Sequence, residues 1–364
     1  MRRLLAAAIV RLAAVVLPAR HSAWGRAMVT ELAAIERPGA ALSFAFGCLA
    51  AALNQAVTVG RPVHARSLGM LCAIGAVGLG LAYLVAAGAP SSHLAINAAA
   101  LAIGLLAIGI LHDAKRIWRA AGEGVLLLFA GIVLLTALLG ISANGVTRWL
   151  AVGGVSLQPA LILVPAIALG FAQRRGGAIL LAVLIAALGL ALQPDRAMAG
   201  ALAAGTVVLA LARPERNVLL ALGASLAAFV ATLLRADASP AMPFVDQIFY
   251  SSFGVHPLAG LAVIAGAALI LVPAVVGCLR DAGHRPIHAM FGAVWLAVIL
   301  AAAIGNHPTP LVGYGGSAIL GYLLSLLCLP AHRGERIAAP AEVPKAPAVD
   351  QARPDLRASV TLAG

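Results

Sequence analysis

Ten apolar runs separated by short polar breaks constrain this chain more than any other feature. They lie at roughly 67–87, 94–112, 123–141, 158–172, 176–192, 195–212, 217–234, 257–279, 289–305 and 313–331. Lipid gives backbone amides no hydrogen-bond partner, so such runs are expected to be helices. Several are shorter than the about 20 residues a straight span needs, which thin or tilted packing accommodates. The 38 glycines and many alanines let helix backbones approach closely in lipid. Charged residues make up only 10% of the chain and mean hydropathy is +1.01, whereas a soluble domain carries about 25% charge. The expected fold class is an all-α integral membrane protein with about ten transmembrane helices.

The net charge of +12 invites a nucleic-acid reading, but its distribution excludes one. The basic residues sit in short loops between apolar runs, not on a patch. Alternate loops carry Arg61 and Arg66, then Lys115, Arg116 and Arg119, then Arg174 and Arg175, Arg213 and Arg216, and Arg280 and Arg285. The opposite loops carry only Arg148, Arg196 and Arg235. The asymmetry predicts a multi-pass membrane protein with both termini cytoplasmic and the Asn144–Pro159 loop outside.

Residues 1–66 differ from the rest of the chain. Arg2, Arg3, Arg11, Arg20, Arg26 and Arg37 alternate with apolar residues, the pattern of a basic amphipathic helix lying on the cytoplasmic leaflet. The apolar run 40–56 sits at the bottom of the spanning range. As an eleventh span it reverses the N-terminal topology, so it reads as interfacial. Residues 67–331 form the membrane domain, and 332–364, rich in Ala, Pro and mixed charge, read as a disordered cytoplasmic tail.

Four motifs fall at the expected outer edge of the spans. The first is Asn144-Gly-Val-Thr-Arg-Trp-Leu-Ala-Val-Gly-Gly-Val-Ser-Leu-Gln-Pro159. Asn-Gly and Gly-Gly mark turns, Arg148 and Trp149 suit a membrane–water boundary, and Pro159 suits a first helical turn. The second is Gln193-Pro194-Asp195, where Asp195 is placed to cap the next helix. The third is Phe244-Val-Asp-Gln-Ile-Phe249 with Asp246, and the fourth is Pro310-Leu-Val-Gly-Tyr-Gly-Gly-Ser317.

Together these motifs resemble the shape, elongation, division and sporulation (SEDS) family, the FtsW/RodA/SpoVE type of cell-wall polymerase. Asn144, Gly145, Arg148, Trp149, Gly153, Gln158 and Pro159 match its first loop. Gln193, Pro194 and Asp195 match its Q-P-D step, and Pro310, Val312, Tyr314, Gly315, Gly316 and Ser317 match its Gly-rich entry to the last span. The resemblance covers roughly 67–330. It implies ten spans of SEDS type, preceded here by the extra N-terminal amphipathic segment. It also implies a lipid II glycosyltransferase, that is a peptidoglycan polymerase of cell division or cell shape. The implied partners are lipid II or another undecaprenyl-linked precursor, a class B penicillin-binding protein and membrane lipids. No cofactor is expected beyond a divalent cation that the resemblance allows.

By the same resemblance Asp246 is the catalytic acid, and Arg148, Trp149, Gln158, Asp195, Tyr314 and Ser317 contact substrate. A carboxylate there can take the proton from an attacking sugar hydroxyl, and the guanidinium of Arg148 matches phosphate oxygens. Blander readings stand beside these. Asp246 also fits a solvated loop acid, Arg148 an interface anchor, and the Tyr314–Ser317 stretch close helix packing.

The chain departs from the family pattern at several points. Ala160 stands where the family has Glu, Val164 where it has Lys, and Arg196-Ala197-Met198 follow Asp195 in place of L-G-T. Gly254-Val255 replace paired glutamates, and only about twenty residues separate Arg235 from His256 where the family has a large loop. These departures keep a second reading open, a non-catalytic paralogue that binds a lipid-linked precursor or a divisome or elongasome partner. A flippase or transporter ranks third, because the spans are almost free of acids. Cys48, Cys72, Cys278 and Cys328 lie in apolar segments and read as inert thiols. Pro286 between His284 and His288 argues against a helical metal pair.

Overall fold

The computed structural model describes residues 22–58, 65–111, 115–143, 146–235 and 240–330, with a few positions between 3 and 14. The expected tail and the Asn144-Gly145 step lie outside the described residues. All ten apolar runs are helical. They are α3 (Ala65–Ala86), α4 (Ser91–Leu111), α5 (Lys115–Leu139), α6 (Pro159–Gln173) and α7 (Gly177–Leu192). Then come α8 (Arg196–Ala212), α9 (Arg216–Leu233), α11 (Pro257–Arg280), α12 (Arg285–Ile304) and α13 (Gly316–Leu327). Before them stand α1 (Ser22–Ala34) and α2 (Pro38–Thr58), and a short α10 (Ile248–Val255) precedes α11. Prolines open α6 and α11 at their first turns, where a missing N–H leaves nothing unsatisfied. The fold is the expected all-helical membrane fold.

Among the described residues six helical stretches are long and apolar enough to cross a membrane: α3, α4, Gly122–Leu139 of α5, α9, α11 and Ala282–Ile304. The remaining four, α6, α7, α8 and α13, are shorter. Helix α6 explains how a short span is tolerated. From Pro159 to Ala172 nearly every side chain is buried, so its neighbours, not lipid, surround it. Trp295 of α12 and Tyr322 of α13 are also fully buried. Each satisfies its polar atom internally: Trp295 Nε1 donates to Ser325 Oγ at 3.2 Å, and Tyr322 Oη to the Ile270 carbonyl at 3.0 Å. A buried indole or phenol without such a partner is costly.

Close backbone approach fixes α13 against α6. A Cβ on Gly321 collides with the Leu161 carbonyl oxygen, so only glycine fits. At the other end of the bundle Arg66 holds the last turn of α13. Its Nε donates to the Leu326 carbonyl at 3.1 Å, and Nη2 to those of Leu327 and Leu329 at 2.7 and 3.0 Å. These are the carbonyls that a helix C-terminus leaves unsatisfied, and a cation there also complements the helix dipole. Arg175 pairs with Glu215 at 2.8 Å on the same end.

The N-terminal helices form a small cluster of their own. Met28, Ala41, Ala45, Cys48 and Ala52 are buried together with Ala6, Val10 and Ala13, apart from the main core. Helix α2 runs for 21 residues, past both ends of the 40–56 apolar run. Between α11 and α12, the paired histidines converge on one acid in spite of Pro286. Asp281 Oδ1 lies 3.0 Å from His284 Nδ1, and Oδ2 lies 3.5 Å from His288 Nε2. The proline fits because it sits in the first turn of α12, with His284 still in the preceding 3₁₀ turn. Burial pushes the Asp281 carboxyl up, but hydrogen bonds and charge from His284, with a bond to His288, bring it below its ordinary value.

Two outcomes are expected for stability in detergent. Arg66→Ala removes three carbonyl partners and lowers unfolding stability by about 2 kcal/mol, read as a drop in Tm. The Asp281 carboxylate has a lowered folded-state pKa. Its contribution is therefore present above the unfolded value of about 3.9 and lost as pH falls through the folded value. Wild type is expected to melt above Asp281→Asn at pH 7, and the two to converge as pH drops below about 4.

Candidate functional site

The polar stretch before α6 is a small antiparallel sheet, not an irregular loop. Strands β1 (Ile141–Ala143), β2 (Val146–Val152) and β3 (Val155–Leu157) pair in that order. The β2–β3 hairpin turns at Gly153 and Gly154, with φ of 57° and 81°, the positive values that a tight two-residue hairpin demands. Strand alternation gives Arg148 and Trp149 opposite faces. Arg148 turns inward and is 4% exposed. Its Nη2 donates to the Pro194 carbonyl, so it is packed within the protein rather than reaching for the membrane boundary.

Directly beneath, three helix N-termini are joined. The Gln158 amide N–H donates to Ser317 Oγ at 2.9 Å, linking the starts of α6 and α13. Gln158 Nε2 donates to Asp195 Oδ2 at 2.8 Å, linking α6 to α8. Asp195 Oδ1 accepts the Met198 N–H at 3.1 Å, which is the expected helix cap. Asp195 is fully buried. It works as a joint and lines neither of the hollows above it.

The acid turn is short and firmly held. Asp246 Oδ2 accepts the Met242 N–H at 2.9 Å, and the following Gln247 adopts φ 56°. Gln247 Nε2 donates to Asn306 Oδ1 at 2.7 Å and Tyr250 Oη to the Ala303 carbonyl at 2.9 Å, which ties the turn to the end of α12. Thr309 N–H donates to the Val245 carbonyl at 3.0 Å and Tyr314 N–H to that of Phe244 at 2.7 Å. The acid turn and the Gly-rich segment are thus laced together.

That segment is clamped from the other side by Asn97 of α4. Its Nδ2 donates to the Gly313 carbonyl at 2.9 Å, and its Oδ1 accepts the Gly315 N–H at 3.0 Å. The His93 ring stacks on Tyr314 at 3.8 Å. Gly80 and Gly266 make room beneath, since a Cβ on either collides with Val312.

Two adjoining hollows open between these elements. One, of about 220 Å³, is lined by Arg148, Trp149, Gln158, Asp246, Asn306 and His307 among others. The other, of about 230 Å³, is lined by Trp149, Ser156, Gln158, Thr309, Tyr314 and Ser317 among others. Trp149 and Gln158 belong to both walls. Below the first hollow an apolar groove of about 520 Å³ runs between α8, α9 and α12, and Ala197 and His307 border both spaces.

The sequence-based site residues therefore gather at one end of the bundle. Asp246 and Arg148 share a hollow, Tyr314 and Ser317 line its neighbour, and Asp195 lies beneath. His307, Asn306, Asn97 and His93 were not among them. The polar Gly305-Asn306-His307-Pro308 turn just before the Gly-rich motif was a signal for the first two. Asn97, a lone amide within an apolar run, was the signal for the third. Among the described residues no cluster of three His, Cys, Asp or Glu could hold a metal. The hollow presents one carboxylate beside a guanidinium, a poor fit to a divalent cation, which wants several oxygen ligands.

No protein-family model matches this sequence, and no curated protein does. Solved structures do match. The crystal structure of the rod shape determining protein RodA of Thermus thermophilus aligns with a TM-score of 0.53 at 23% identity, covering 72% of this chain and 94% of that one. An aspartate-to-alanine mutant of the same protein aligns with a TM-score of 0.53 at 24% identity, covering 72% and 95%. The chain has a RodA-like fold. The RodA-like part matches nearly the whole of that protein, so this chain carries additional sequence beyond it.

Substitution separates joint from wall at this end of the bundle. Asp195→Ala loses a helix cap and leaves Gln158 without its acceptor, lowering stability by about 2–3 kcal/mol. Asp246→Ala loses the Met242 turn contact and is expected to lower Tm less than Asp195→Ala. Thermal unfolding in detergent reads both.

Proposed function

We propose that this protein is a SEDS-type membrane protein of cell-wall synthesis that acts on a lipid-linked glycan precursor. The observation that carries the reading is one hollow lined by a carboxylate, Asp246, and a buried guanidinium, Arg148, with an apolar groove on the other side of Ala197 and His307. A substrate with a sugar, a charged linkage and a long hydrocarbon chain matches those three environments in order. The motifs shared with the SEDS family and the RodA-like fold support lipid II as that precursor. The resemblance to the SEDS family supports a bacterial inner (cytoplasmic) membrane, and the charge asymmetry of the loops supports this end outside and both termini inside.

In this reading Asp246 is the general base. A hydroxyl of the acceptor sugar attacks C1 of the second sugar, its proton passes to Asp246, and the C1–oxygen bond to the lipid pyrophosphate breaks. Arg148 offers charge to the phosphate side of that bond. Tyr314, Ser317 and Ser156 face the neighbouring hollow, where an uncharged sugar fits hydroxyls and an aromatic ring. A class B penicillin-binding protein is the proposed partner.

One observation favours a non-catalytic reading beside it. The acid turn is all that remains of a loop that is large in the family, and Gly254-Val255 stand where it has glutamates. A scaffold that binds precursor and a divisome or elongasome partner fits those losses.

The purified protein, alone and with a co-purified transpeptidase, is offered lipid II and the products are separated by size. Polymer is expected from wild type, with at least a hundredfold loss in Asp246→Ala and unchanged yield of folded protein. Polymer from Asp246→Ala at the wild-type rate overturns the role of that acid. Bound lipid II without polymer in either preparation selects the non-catalytic reading.

A further inference from the structure

We infer that α10 is an interfacial anchor, whose Tyr250 and Phe253 rings rest in the headgroup–acyl boundary of the leaflet on the Asp246 side. The partner of this surface is bilayer lipid, and what it steadies is the acid turn. The anchor is independent of the substrate proposed above.

The apolar surface of α10 is wider than the protein covers. At about 3.6 residues per turn, Ile248 and Ser252 share one face, and they are the buried residues of the helix. Ile248 packs with Tyr83, Leu84, Val263 and Val312. Phe249, Phe253 and Tyr250 follow in that order around the helix. Phe249 is half-buried against the same cluster, whereas Phe253 is 43% and Tyr250 64% exposed. Neither ring needs water for a polar group, because Tyr250 Oη already donates to the Ala303 carbonyl at 2.9 Å. Exposed Ser251 lies on the opposite side of the helix.

Continuity with α11 says what covers the two rings. Leu258, Leu261, Ile264, Val275 and Leu279 are exposed along one face of that helix. It is long and apolar enough to cross a membrane, so lipid covers that face. The Phe253 ring lies over Gly260, where a Cβ collides with it, beside the outermost leucines of the stripe. No Asp, Glu, Lys or Arg occurs from Gln247 to Leu279, so no charge separates α10 from the span. Aromatic rings at the end of a span are suited to the membrane–water boundary. Extended His256 breaks α10 from α11, which lets the short helix turn away from the span axis.

The consequence falls on the site. Asp246 stands two residues before α10 and is thereby held at the level of lipid headgroups. The acid turn has two supports, α12 through the Gln247–Asn306 bond on one side and the bilayer on the other.

Full-length Phe253→Trp and Ser251→Trp proteins are placed in nanodiscs of phosphatidylcholine, plain or brominated along its acyl chains. Wild type, with its four native tryptophans, supplies the background, and acrylamide is the aqueous quencher. The signal added at 253 is expected to be quenched more by bromolipid than by acrylamide, and that at 251 the reverse. Amide exchange at Met242 and Asp246 is expected to quicken about tenfold in Phe253→Ser and to stay within twofold of wild type in Phe253→Leu. Acrylamide quenching at 253 without bromolipid quenching overturns the inference. A ring shielded from both quenchers also overturns it and assigns the patch to a second copy of the chain. Exchange in Phe253→Ser equal to wild type overturns the anchoring of the acid turn.

Discussion

The structure depends on the joint at Gln158, Asp195 and Ser317. Three helix N-termini meet there, and each brings unsatisfied amide donors and a positive dipole end. Left alone, that concentration of like partial charge is unfavourable in an apolar bundle. One fully buried carboxylate resolves it, accepting a backbone N–H from α8 and a side-chain donor from α6. The Ser317 hydroxyl does the same for the start of α6. Leu161 of α6, Ala197 and Met198 of α8 and Ser317 of α13 line the two hollows, so part of the site's geometry is set at this joint.

Much of this was legible in the sequence because lipid leaves few options. Each apolar run had to be a helix, and each is one. Asp195 was readable as a cap because it follows Gln-Pro at the edge of a run. The small sheet was not legible. Val-Thr-Arg-Trp-Leu-Ala-Val alternates weakly, and the turn chemistry of Gly153-Gly154 was compatible with any tight turn. Arg148 was ambiguous for a related reason. An arginine beside a tryptophan at a span edge has the composition of a membrane anchor, and only strand alternation turns it inward. The meeting of Asp281, His284 and His288 was hidden because Pro286 was weighed as a helix breaker, whereas at a first turn it is harmless.

The Gly-rich segment shows what a shortened outer loop asks of its neighbours. Helix α13 has only 12 residues, and the chain before it is irregular yet largely buried. Such backbone is stable in a membrane protein only where protein supplies its hydrogen bonds. Here Asn97 supplies two, and the acid turn accepts two more. The acid turn and the Gly-rich segment therefore stand or fall together, and a longer loop is not needed to hold Asp246 in place.

That mutual support bears on whether the site retains chemistry. A loop kept only as a linker has no reason to order Asp246. Here the acid is fixed by a backbone donor, flanked by residues tied to α12 and to the Gly-rich segment, and set in a hollow with a buried guanidinium. Preorganisation of this kind costs conformational entropy that linkers do not ordinarily give up, and it is what electrostatic stabilisation of a developing charge requires. The departures from the SEDS pattern remove three acids and, at Val164, one lysine, while Arg196, at a position where the family has an apolar residue, restores a cation. The net change makes this end of the bundle more attractive to phosphate.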